Sequence, residues 1–178
     1  MMPFHRSVVA CVVAVGLAGC ESAPPPSELR PVTTVRGIMA DMVAPSADVL
    51  WSAIQTVETP EGFIDKAPET DEEWASLRHS ATTMVESANL LLMEGRRVAP
   101  EGATAAAPGY ELEPDSIAAL IAADRAHWVE LVYELQESGR VFLNAIEARD
   151  SSPLFDAGDG LNVACEDCHQ AFWYPPAG

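Results

Sequence analysis

The sequence predicts an all-α fold, an antiparallel up-down-up-down bundle of four helices, and three observations carry that expectation. From Val32 onward the apolar residues recur at helical spacing, no stretch alternates convincingly like a strand, and short or moderate connections separate four such stripes. At 178 residues the chain is long enough for one domain with a sizeable core.

The first helix is expected from about Thr33 to Val57, with Val35, Met39, Met42, Val49 and Ala53 on one face beside Leu50, Ile54 and Val57. Pro45 lies inside it and should kink or split it, with Ser46 available as a new cap. The second opens at Thr70-Asp-Glu-Glu73, the pattern of a capping box, and follows a seam of Trp74, Leu77, Ala81, Met84, Ala88 and Leu91. It ends near Glu94-Gly95, where glycine suits a C-cap. The stretch RRVAPEGATAAAPGYELEP then reads as a loop with little to pack. The third helix starts near Pro114-Asp115-Ser116, with a break near Asp124, and carries Trp128, Val132, Leu135, Gly139, Phe142 and Ile146. The fourth begins at Ser152-Pro153, a cap followed by proline in the first turn. Its core face holds Leu154, Gly158, Leu161, Cys165, Cys168 and Phe172.

The residues before the helices read as an export segment. His5 and Arg6 form a short positive head, and Ser7 to Leu17 are apolar but too few to span a bilayer. Leu17-Ala18-Gly19-Cys20 resembles the bacterial lipobox, which makes Cys20 the lipidated residue. The expected organisation is a signal peptide over 1–19, a Pro-rich tether over 20–31 and a helical domain over 32–178. Glu21 stands where an aspartate would usually retain a lipoprotein in the inner membrane, which favours outer-membrane anchoring.

Charge narrows the partners. Asp and Glu number 27 against 10 Lys and Arg, for a net charge of −17. Such a surface repels phosphate backbones, so no nucleic acid is expected. It attracts a basic protein instead, and less so as salt rises.

Export also makes the cysteines informative. Cys11 leaves with the leader and Cys20 takes the lipid, so Cys165 and Cys168 remain, followed at once by His169. A thioredoxin-like pair belongs at the start of a helix after a strand, whereas this pair sits near the end of a helix. A structural zinc needs four ligands, and His79 or His127 would have to be recruited to complete three. A c-type haem meets the constraints. Two cysteines three apart share a helical face and form thioethers, the next histidine reaches the iron, and no thiol is left to oxidise.

A CxxCH in the last helix of an exported four-helix bundle resembles the cytochrome c′ family and its low-spin relatives, across about Val32 to Tyr174. The resemblance implies one covalent haem c held by Cys165 and Cys168, with His169 as the fifth ligand. In low-spin members a first-helix methionine is the sixth ligand, and Ile38-Met39 resembles their Leu-Met. Arg36, one turn earlier, resembles the arginine that approaches a haem propionate. The family's usual CHxxxR is not kept, because Trp173 stands where the arginine would be. That departure favours electron transfer to a periplasmic redox partner over gas binding, and no substrate-binding catalytic group is identifiable, so no enzyme is expected. Binding or scavenging of nitric oxide or carbon monoxide at an open sixth site is the alternative. By analogy the resemblance also implies a homodimer through the first two helices.

Other residues read more plainly. His79 and His127 are flanked by polar residues and expected at the surface, with His127 the alternative sixth ligand. Trp51, Trp74 and Trp128 are expected to pack. Gly139 suits either close helix packing or an approach to the porphyrin.

Overall fold

The structure, a computed structural model, describes residues 29–176. The leader, the lipobox with Cys20, and most of the tether lie outside the described residues. Thr34 opens the first helical segment by accepting a hydrogen bond from the Gly37 N–H at 3.2 Å, the role of an N-cap hydroxyl. Helix α1 (Val35–Ile38) runs into a π-helical turn (Met39–Val43) and on into α2 (Ala44–Ser52). Pro45 accounts for the widened turn. It has no N–H to give the Asp41 carbonyl and its ring crowds that carbonyl. The Ala44 N–H bonds the Met39 carbonyl instead. The helix therefore widens where a split was expected, and Ser46 is a buried helical residue, not a cap.

The π turn also shifts the buried stripe. Val35, Ile38, Val43, Ala47, Leu50 and Ile54 are buried, with a step of five across the turn. Val49, expected on the core face, is exposed.

The chain after Ser52 corrects the all-α expectation: the fold is mostly helical with one small two-stranded sheet. Strands β1 (Gln55–Thr59) and β2 (Gly62–Lys66) pair antiparallel, with Val57 opposite Ile64 and Thr59 opposite Gly62. Thr56, Val57 and Thr59 favour strand over helix. Pro60 suits the turn, and Gly62 adopts a φ of 126° that a side chain would resist.

Helix α3 (Asp71–Leu91) begins with the expected capping box. Thr70 Oγ1 accepts from the Glu73 N–H at 3.2 Å, and the Glu73 carboxylate accepts from the Thr70 N–H at 2.9 Å. The following loop is better packed than its sequence suggests. Val98, Ala99 and Ala105 are buried, and the carbonyls of Arg97 and Val98 accept the first two N–H groups of α1, each at 2.9 Å. Arg96 and Arg125 donate to the Leu90 and Leu92 carbonyls at the end of α3. Helix α4 (Pro114–Ala123) gives way at Asp124, whose carboxylate caps α5 (Arg125–Ala148). After Ser151, α6 (Ser152–Phe172) closes the fold.

Helix α3 packs along α5, α5 along α6, and α2 against both α3 and α6. Leu50, Leu77, Met84, Trp128, Phe142, Leu154 and Leu161 fill the space between them. Each such side chain, fully buried, contributes on the order of 1.5–3 kcal/mol. Gly139 is a close-packing residue: a Cβ there would stand 2.8 Å from Cγ2 of Val85 on α3. Trp74 and Trp128 are buried. Trp51 is half-buried and donates Nε1–H to the Gly158 carbonyl at 3.1 Å.

Candidate cofactor site

A cavity of about 190 Å³ lies among the four long helical segments. One ordered water needs on the order of 10–15 Å³, so this space is far more than a packing defect. Helix α6 contributes Ala164, Cys165, Cys168 and His169. Opposite stand Met39 and Val43 from the π turn and Ala44, Ala47 and Trp51 of α2. Leu91 of α3 and Leu131, Val132 and Leu135 of α5 complete an apolar wall, and Asp48 is the one carboxylate at its edge.

The spacing of the α6 residues produces this placement. Positions 161, 164, 165 and 168 recur at steps of three and four, so they share a face. Leu161 and Ala164 bury that face, and the half-buried cysteines continue it around the cavity. His169 follows by one position and stays on the cavity rim because α6 ends just beyond it. The Trp173 and Tyr174 N–H groups both donate to the His169 carbonyl, at 2.8 and 2.9 Å. Those two aromatic rings then stand 6.4 and 5.6 Å from the imidazole. The Tyr174 hydroxyl lies 3.5 Å from His169 Nδ1, which leaves the other ring nitrogen for a different partner. Sequence reasoning did not single out Tyr174. Its signal is its place just past the end of α6, where the chain folds back on the histidine.

Burial governs the titration of the site. It pushes the Cys168 thiol up to about 12, with smaller contributions from Cys165 and then Glu134. The Cys165 thiol is raised by burial and then by Glu166. His169 is lowered by burial, against the opposing pull of Glu166 and Glu111. At neutral pH the site thus holds two protonated thiols and a neutral imidazole. A redox-active cysteine needs the reverse, a stabilised thiolate, so exchange chemistry does not suit this pair.

Other expected residues fall elsewhere. Met42 packs against the core without lining the cavity. Arg36 does not line it either. One guanidinium nitrogen donates to the Thr104 carbonyl at 3.0 Å, and its Nε is a buried donor with no partner. His79 is exposed. His127 is exposed too, with its ring 5.7 Å from that of Phe172, away from the cavity lining. Among the described residues, no three His, Cys, Asp or Glu side chains gather into a metal-binding group, so a four-ligand zinc site finds no support. No family model, no curated protein and no solved structure matches the chain.

Proposed function

We propose that the chain is a monohaem c-type cytochrome, an up-down-up-down four-helix bundle that carries electrons at the periplasmic face of a membrane. One observation carries this reading: Cys165, Cys168 and His169 from α6 meet Met39 from the π turn around a single apolar cavity. The donor set fits haem c, with two thiols for thioether bonds, an imidazole as fifth ligand and a methionine sulfur as sixth. Bound haem supplies a one-electron couple at its iron.

The rest is the work of this chain's own residues. Cys165 and Cys168 anchor the group on one helical face. His169 stays neutral at physiological pH because burial lowers its pKa, so it keeps a lone pair to donate. Tyr174 sits beside the other nitrogen of that ring and steadies its orientation. The aliphatic wall of Val43, Ala47, Leu131, Val132 and Leu135 excludes water. Arg36, off the cavity wall, retains an unpartnered Nε donor for a propionate, the role the resemblance assigns it.

We read the chain as an electron carrier, not an enzyme. Its partner is a basic periplasmic redox protein, its anchor the lipid on Cys20, and Glu21 favours the outer membrane. A homodimer follows from the resemblance alone.

Met39 provides the test. A His/Met site is low-spin and shows a weak sulfur-to-iron charge-transfer band in the red when oxidised. The band is expected in the unmutated protein, lost in Met39→Ala and kept in Met42→Ala. A high-spin spectrum with fast carbon monoxide binding would overturn the electron-carrier reading and put gas binding in its place.

A further inference from the structure

Around the cysteine-bearing helix from that cavity, on the adjacent face, lies a groove of about 650 Å³ between α5 and α6. Small residues make it: Ala157, Gly160 and Ala164 on α6 leave space opposite α5, and a Cβ at Gly160 would meet nothing within 4 Å. The exposed side chains of Val141 and Val163 give it an apolar surface. Every charged residue lining it is acidic: Glu134, Glu137, Asp156 and Asp167. None of these four forms an ion pair with a described residue, whereas Glu147, Glu101 and Asp71 elsewhere each pair with an arginine. Ala164 lines both this groove and the cavity that holds Cys165, Cys168 and His169.

We infer that this groove is the docking surface for the basic redox partner, which lays a lysine- or arginine-bearing apolar segment along it. The inference rests on the proposed haem site and gives its electron an exit. Charge complementarity argues for the occupant: unpaired carboxylates around an apolar groove speed the encounter with a cationic protein and set its register. Position argues for the purpose, because the groove and the cofactor cavity lie on adjacent faces of α6 and share Ala164 as a wall.

The test uses the full holo chain and a fluorescein-labelled octapeptide of alternating lysine and leucine, followed by fluorescence anisotropy at low salt. Neutralising the groove in E134Q/E137Q/D156N/D167N is expected to weaken binding by about tenfold or more. A control with the same change in charge, E58Q/E61Q/E69Q/E72Q, is expected to weaken it by no more than about threefold, since long-range attraction alone is screened. Gly160→Leu adds bulk to the groove at a position where a Cβ meets nothing within 4 Å, leaves the charge unchanged, and is expected to weaken binding as well. Equal losses in the groove and control sets, or unchanged binding in Gly160→Leu, would overturn the assignment. The anisotropy signal needs no haem, and a haem spectrum of the same preparation is read separately. Failure of the groove and failure of the cytochrome reading are therefore distinct results.

Discussion

A thiol that ionises at about 12 in place of the usual 9.0 is almost wholly protonated at neutral pH, and Cys168 is such a thiol. The consequence for stability has a definite sign. Below pH 9 the folded and unfolded chains both hold this proton. Above 9 the unfolded chain releases it first, so stability falls as pH rises toward 12. Chain lacking haem should therefore lose urea resistance progressively above about pH 9. Cys168→Ala chain lacking haem should show a shallower loss, and chain carrying the proposed haem, in which these sulfurs would be thioethers, should show none from this residue. An equal alkaline slope in all three would contradict the burial of this thiol. The motif residues and Met39 were legible at this scale, because steps of three and four place them on buried faces. Tyr174 was not, since its nearness to His169 arises from how the chain turns after α6.

At the scale of elements, the four long helical stripes were legible wherever the helix was regular. The seam of α3 from Trp74 to Leu91 and that of α5 from Trp128 to Ile146 are buried as the spacing required. In the first helix Leu50 and Ile54 are buried as expected, but Val49 is exposed, because a π turn adds one residue to a turn and the stripe slips by that residue. The hairpin was missed for a different reason. Strand alternation comes from burying one face, and β2 is exposed at every position, so it carries no such signal. The loop after α3 offers few apolar side chains to read, and its binding to α1 runs largely through backbone carbonyls, which no side-chain pattern reports.

Two measurements belong to this scale. Pro45→Ala restores an N–H for the Asp41 carbonyl and removes the crowding ring, so the π turn should relax toward regular helix and carry Met39 off the cavity. The sulfur-to-iron band should weaken while far-ultraviolet dichroism is kept. An unchanged band would mean the π turn does not position Met39. Thr70→Ala removes one half of the capping box and should lower stability to urea by about 1 kcal/mol. The backbone N–H groups of Glu69 and Thr70 hold the Glu73 carboxyl below its usual 4.5. Its contribution is thus present above about pH 4.5 and fades as pH falls through the lowered value. Glu73→Gln, which removes that charge, should therefore cost less in acid than at neutral pH, and an equal penalty at both would contradict the reciprocal cap.

For the whole molecule, a net charge of −17 and one apolar cavity shape the account together. The excess of carboxylates opposes compaction through self-repulsion and draws cationic partners, and both effects weaken with salt. The central claim is that the residues around the cavity hold haem covalently. It is tested most directly by expressing the full chain with c-type maturation machinery, extracting with acidified acetone and recording the pyridine haemochrome of the protein pellet. The expected result is a c-type spectrum at one haem per chain, abolished in Cys165→Ala/Cys168→Ala. Colourless protein, or haem that leaves wholly with the acetone, would contradict it.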